Sequence, residues 1–217
     1  MNIEQARFNM IEQQIRPWDV LDQAVLSLLA VVKREDFVPA AYRAMAFMDL
    51  EIPLPGGQCM LAPRVEARLL QELAPARHEK VLEVGTGSGF MAALLGHRAQ
   101  QVLSFEVRPE LAAMARENLR RAAVMNVEVR EGSGAQGDSL RGPFDAIVLS
   151  GSVAEVPRQL VDQLKPGGRL VAIVGEEPVM RAVRVRRGEN GELATEELFD
   201  TVAPRLAHFA EPSRFHF

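Results

Sequence analysis

The chain has 217 residues, 47% of them hydrophobic, which is enough to bury one real core and too few for two independent domains of ordinary size. A formal net charge of -4 argues against a nucleic-acid binder, because such domains carry a basic excess, and no stretch reaches the roughly 20 apolar residues of a membrane helix. Cys59 is the single cysteine, so neither an intrachain disulfide nor a cysteine-paired metal site can form, and a reducing, cytoplasmic setting is the expectation.

The first fifteen residues set Glu4, Arg7 and Glu12 among Ile3, Phe8, Met10 and Ile11, without the uninterrupted apolar core of a signal peptide. From Asn2 to about Leu73 the periodicity is helical. Ala24, Val25, Leu28, Leu29 and Val32 recur at helical spacing, with Asp19 as the candidate cap after Pro17. Pro53, Pro55, Gly56 and Gly57 break the pattern and predict an ordered turn. Pro63 suits the first turn of a new helix that carries Val65, Leu69, Leu70 and Leu73 on one side.

After Pro75 the texture changes to short apolar runs at residues 81–84, 102–105, 127–129, 146–149 and 170–174, each read as a strand. Helical patterns at 91–97, 110–122 and 156–164 lie among them. This alternation predicts a parallel sheet covered on both faces. Residues 180–186 then alternate apolar and charged side chains, Asn190 and Gly191 supply turn chemistry, and 197–202 returns as a strand, so a terminal hairpin is added to the sheet. The chain accordingly divides into a helical extension, 1–75, and a Rossmann-like domain, 76–217.

The decisive stretch is Val81-Leu82-Glu83-Val84-Gly85-Thr86-Gly87-Ser88-Gly89-Phe90, a strand running into alternate glycines and then a helix. A strand-loop-helix junction in a parallel sheet points its amides into the crevice, and glycine lets a ligand approach the backbone. This places Gly85, Thr86, Gly87 and Gly89 beside a ligand. A glycine turn without a ligand is the bland alternative.

Two features narrow the ligand. The spacing is G-x-G-x-G, whereas the dinucleotide fingerprint is G-x-G-x-x-G, which counts against a nicotinamide dehydrogenase. Glu83 on the strand side repels a pyrophosphate but attracts the ammonium and sulfonium groups of S-adenosylmethionine, directly or through water; its bland reading is a solvated strand-end carboxylate. Glu106 ends the second strand roughly 20 residues after the first glycine, where an acid binds ribose hydroxyls. Ser150-Gly151-Ser152 lies at the carboxyl end of the fourth strand, where Ser150 either faces the bound ligands or belongs to a plain turn of small residues. His78, His97, His208 and His216 are scattered, and none has metal-ligand spacing, so no metal site is expected.

These residues resemble the seven-stranded methyltransferases and, more narrowly, the protein-L-isoaspartate O-methyltransferase family. The similar segments are Asp36-Phe37-Val38-Pro39 with Tyr42 and Ala46, the stretch from Asp49 to Leu54, Gly57-Gln58 leading to Ala62-Pro63, the glycine loop, Pro143-Phe144-Asp145, and Leu164-Lys165-Pro166-Gly167-Gly168-Arg169-Leu170. The resemblance implies a Rossmann-like seven-stranded sheet, mostly parallel with a C-terminal antiparallel hairpin. It implies methyl transfer from S-adenosylmethionine to the free α-carboxylate of L-isoaspartyl residues in damaged proteins, with an isoaspartyl peptide or protein as partner and no nucleic acid or membrane. Glu83, Gly85 and Gly87 then line the methionine end, Glu106 the ribose, and Gly132-Ser133 the adenine.

The acceptor segment departs from the family. Members read Gly-Gln-Thr-Ile-Ser before Ala-Pro, with the hydroxyls near the acceptor; this chain reads Gly57-Gln58-Cys59-Met60-Leu61. Leu61 cannot donate a hydrogen bond and Cys59 donates only weakly. After the third strand, where the family has Asp-Gly, stands Gly132-Ser133-Gly134. Three readings follow: the same acceptor held by other donors around Gln58, Cys59 and Leu61, an altered acceptor on a retained cofactor site, or a cofactor-binding protein without activity.

Overall fold

The computed structural model describes residues 2–211; Met1 and residues 212–217, His216 among them, lie outside the described residues. Helix α1 (Ile3–Met10) is capped by Asn2, whose side chain accepts from the Gln5 amide. Helix α2 (Gln23–Val31) is capped by Asp22, whose Oδ1 accepts from the Ala24 amide at 2.7 Å. Asp19 is therefore not the cap: it takes a left-handed conformation that ends the short turn Arg16–Trp18.

The proline and glycine break is a small antiparallel hairpin, β1 (Ile52–Leu54) and β2 (Gln58–Met60), joined through Pro55–Gly57. Pro63 opens α3 (Pro63–Leu73), where its missing N–H costs nothing. The remaining elements are β3 (Lys80–Val84), α4 (Phe90–Arg98), β4 (Gln101–Glu106), α5 (Pro109–Arg121), β5 (Val127–Glu131), β6 (Phe144–Val153), α6 (Arg158–Val161), β7 (Leu164–Glu176), β8 (Val179–Arg187) and β9 (Leu193–Asp200).

Seven strands form one sheet in the order β5-β4-β3-β6-β7-β8-β9, the first five parallel and the last two added antiparallel, as the sequence predicts. Because the chain leaves β3 toward β4 and later returns on its other side as β6, the carboxyl end of β3 is the point where the strand order reverses. Ligands of open parallel sheets bind there.

Alternation along each strand separates two cores. Val81, Val102, Val148 and Val171 pack under α3, α4 and α5 together with the N-terminal helices. Their neighbours Leu82, Leu103, Ile147 and Leu170 pack against α6 on the other face, where Leu206 and Phe209 add partial cover. Runs buried on both faces mark parallel strands.

Some boundaries differ from the expectation. The helix expected at 156–164 is the single turn of α6, because Val156 precedes a proline, which disfavours helix there, Pro157 is extended, and Leu164 is drawn into register with Phe144. The segment Ser150-Gly151-Ser152 is not a turn but the end of β6, past a register shift between Val148 and Ser152. The last strand begins at Leu193 and stops at Asp200, before Val202; its first half, Leu193 to Glu196, is exposed and carries no buried apolar alternation to mark it. Among the described residues no helix is long and apolar enough to cross a membrane.

Candidate active site

The glycine loop reverses the chain between β3 and α4 with positive φ at Gly85 (94°), Gly87 (54°) and Gly89 (88°). Each hydrogen faces something different. A Cβ on Gly85 would meet the Leu206 side chain, and one on Gly87 would meet only Leu54, at 3.4 Å. Both line the crevice over the end of β3. A Cβ on Gly89 would instead press on the Ala115 backbone at 3.2 Å. Gly89 is thus turned away from the crevice and sets the close approach of α4 to α5.

Glu106, at the end of β4, lines the same crevice. One carboxylate oxygen accepts from the Gly87 amide at 2.9 Å and the other from the Arg108 amide at 3.0 Å. A carboxylate offers about four lone-pair sites, so each oxygen can still take a hydroxyl. Gly132 and Ser133 stand further back. The Gly132 amide donates to the Glu106 carbonyl at 2.8 Å, the Ser133 hydroxyl accepts from the Ala135 amide at 3.3 Å, and neither lines the crevice.

Glu83 is fully buried rather than solvated, one layer beneath the loop. Its carboxyl accepts from the Ser104 hydroxyl at 2.6 Å and the Ser150 hydroxyl at 2.8 Å, and Ser104 in turn meets the Thr86 hydroxyl at 2.6 Å. Burial pushes the Glu83 carboxyl up to about 8, against the pull of the two serines and with the help of Glu66 and Glu106. At neutral pH the group is mostly the uncharged acid. In this state it ties the glycine loop to the ends of β4 and β6 through Ser104 and Ser150.

The hairpin brings the acceptor segment onto this loop. Gln58 and Cys59 line the crevice with Gly85, Gly87 and Ser150, and a smaller cavity continues between Cys59, Leu61 and the loop. Burial raises the Cys59 thiol to about 12, aided by the charge and hydrogen bond of Glu51 and by the charge of Glu66. The thiol therefore stays protonated. Leu61 is buried, and its carbonyl accepts from Arg34 Nη2 at 2.7 Å. Arg34 Nη1 donates to Glu66, which also lines the smaller cavity.

Sequence reasoning passed over Arg34 and Glu66, although Glu66 precedes Leu69, Leu70 and Leu73 at helical spacing and so belongs to the buried stripe of α3. It also passed over Arg205 and Leu206, which close the outer side of the crevice and carry no motif. Trp18 meets Phe199 edge to face at 5.8 Å and lies under the Arg64 guanidinium at 4.3 Å. Among the described residues no group of His, Cys, Asp or Glu side chains is placed to hold a metal ion.

Residues 5–203 match the family model described as protein-L-isoaspartate(D-aspartate) O-methyltransferase. The chain belongs to this family. Its relatives named protein-L-isoaspartate O-methyltransferase include one from Koribacter versatilis, 41% identical over 89% of this chain and 87% of the relative. Another, from Methanoculleus marisnigri, is 41% identical over 84% of this chain and 83% of its own. The crystal structure of a β-aspartate methyltransferase from Plasmodium falciparum, bound to S-adenosyl-L-homocysteine, superposes with a TM-score of 0.78 over 95% of this chain and 98% of that one. At 22% identity that likeness speaks for the fold. The isoaspartate methyltransferase match takes in the hairpin, the glycine loop and β6, and it ends before Arg205 and Leu206.

Proposed function

We infer that the chain is an S-adenosylmethionine-dependent protein carboxyl O-methyltransferase that methylates L-isoaspartyl residues of damaged proteins. The observation that carries this reading is the shared crevice in which Gln58 and Cys59 of the hairpin meet Gly85, Gly87, Glu106 and Ser150. One side of it suits a cofactor and the other an acceptor.

The donor set fits the cofactor. The Gly87 face is open except for Leu54, and the Glu106 carboxylate keeps lone pairs for two ribose hydroxyls. S-adenosylmethionine supplies a methyl group on an already activated sulfonium leaving group. What remains for the protein is alignment, and such positioning contributes on the order of 7 to 11 kcal/mol. The α-carboxylate of an isoaspartyl residue, with a reference pKa near 3.3–3.7, is ionised at neutral pH and needs no general base. Cys59, its thiol protonated, and Ser150 line this region.

The test is transfer of a labelled methyl group to an isoaspartyl peptide and, in parallel, to its normal aspartyl twin. Base-labile label on the isoaspartyl peptide alone is expected. Cofactor binding with neither peptide labelled would overturn the acceptor assignment and favour the second reading, an altered acceptor, for which the loss of hydroxyls at Cys59 and Leu61 is the specific ground.

A further inference from the structure

An anionic acceptor held in a cavity needs hydrogen-bond donors, and Leu61 supplies none. The cavity between hairpin and glycine loop has a different candidate on its floor. Glu66 lines it beside Cys59, Leu61, Thr86 and Ser150, and is 5% exposed. Its Oε2 accepts from Arg34 Nη1, while Oε1 takes no hydrogen bond among the described residues.

Arg34 is fixed. It is 1% exposed, its Nη2 holds the Leu61 carbonyl at 2.7 Å, and its guanidinium lies 5.0 Å from the centre of the Phe90 ring. One guanidinium balances one carboxylate. When an acceptor carboxylate enters, two acids share a buried cavity with a single fixed cation, and two such groups cannot both remain ionised. The proton goes to the weaker acid. An α-carboxyl has a reference pKa of roughly 3.3–3.7, whereas burial raises the Glu66 carboxyl above its ordinary value despite the opposing charge of Arg34.

We propose that Glu66 is the acceptor-binding residue of this chain, its carboxylic acid donating from Oε1 to the substrate carboxylate in place of the hydroxyls absent at positions 59 and 61. This rests on the methyltransferase reading above. Other ionisable groups stand around Glu66. They are the protonated Cys59 thiol on the hairpin with Glu51 beyond it, and Glu83 on β3, itself mostly the uncharged acid, with Glu106 on β4 beyond it. Glu35, next to Arg34 in the chain, is engaged by Arg7 and leaves the Arg34 charge to Glu66.

The prediction separates from a structural role by its pH dependence. With an isoaspartyl peptide and saturating cofactor, the wild-type KM for peptide is expected to be flat at low pH and to rise, by up to about tenfold per pH unit, once Glu66 ionises in the free enzyme. Glu66→Gln keeps a donor that cannot ionise, so its KM should not vary with pH. Glu66→Val removes the donor and should raise KM by about tenfold or more at every pH. Parallel KM profiles for wild type and Glu66→Gln, or an unchanged KM for Glu66→Val, overturn the proposal.

Should the variants not fold, calorimetry on the wild-type protein with S-adenosylhomocysteine and unmethylated peptide, in two buffers of different ionisation enthalpy, decides the matter. Proton uptake that grows with pH toward one per peptide is expected, and it should persist in Glu83→Gln; no uptake at any pH refutes the role of Glu66. A wild-type enzyme that methylates no isoaspartyl peptide refutes the functional reading instead, so the two failures are distinguishable.

Discussion

The Ser150 hydroxyl donates to the Glu83 carboxyl at 2.8 Å across 67 residues of chain, tying the end of β6 to the strand that launches the glycine loop through a group with no solvent exposure. Burial of that carboxyl has a pH consequence whose sign is fixed. In the unfolded chain Glu83 ionises near 4.5, and in the folded one near 8. Between those values the folded state keeps a proton that the unfolded state releases, so stability falls as pH rises from about 4.5 to about 8 and is level beyond. The full difference is on the order of a few kcal/mol. Glu83→Gln, which cannot ionise but keeps an accepting oxygen, should be the more stable protein at pH 8.5 and lose that advantage at pH 5. Denaturant midpoints at the two pH values measure this; equal offsets at both would show that the carboxyl is not raised.

Gly87 and Gly89 separate binding from packing. Both have positive φ, which costs a residue with a Cβ about 1–2 kcal/mol. Gly89→Ala also presses on the Ala115 backbone at 3.2 Å, so it should lower the melting temperature while the folded protein keeps its affinity for S-adenosylhomocysteine. Gly87→Val projects into the crevice and should weaken that affinity by about tenfold or more, since its methyls occupy ligand space. Unchanged affinity in Gly87→Val would remove the loop from the cofactor site.

The contrast between those glycines also shows how far the sequence could be read. Alternate glycines after a strand announced a loop at the crevice, and the parallel sheet with its hairpin followed from apolar runs of strand length. Which way each glycine faces depends on Leu206, Leu54 and Ala115 of α5, all distant in the chain, and local spacing holds no record of them. Glu83 was legible as an acid at the right place. Its burial depends on Ser104 and Ser150 arriving from other strands, so its charge state was not legible. Gly132 and Ser133 were assigned to the adenine only through the family resemblance, and the bonds they make here, to the Glu106 carbonyl and from the Ala135 amide, depend on residues the glycine spacing does not reveal. Arg34 and Glu66 are ordinary charged letters until the fold buries them together.

Cys59 offers a chemical check on the acceptor segment. Only the thiolate is alkylated, and a thiol raised to about 12 by burial, with Glu51 adding to the shift, is almost wholly protonated at pH 8. Because the residue is only partly buried, a reagent can reach it. Iodoacetamide should therefore react about a hundredfold or more slowly than with an unstructured cysteine peptide, whose pKa lies near 8.5. Glu51→Gln should speed the reaction, whereas a rate matching the peptide in the folded protein would contradict the environment described.

Glu106 tests the proposed cofactor site. Its carboxylate accepts from two backbone amides, Gly87 and Arg108, and keeps lone pairs over the crevice. Hydrogen bonds to a charged group contribute about 1.5–3 kcal/mol each, so losing the two ribose contacts proposed for Glu106 should weaken cofactor binding by at least about tenfold. Glu106→Ala should accordingly raise the KM for S-adenosylmethionine and leave most of kcat at saturation, because Glu106 does not line the smaller cavity beside Cys59, Leu61 and Ser150 that we propose for the acceptor. Glu106→Gln keeps one accepting oxygen and should fall between. Steady-state kinetics with the cofactor varied, beside calorimetric binding of S-adenosylhomocysteine, reads both quantities. An Ala variant that binds as tightly as wild type and turns over nothing would move Glu106 out of the ribose role and make its hold on the Gly87 amide the essential one.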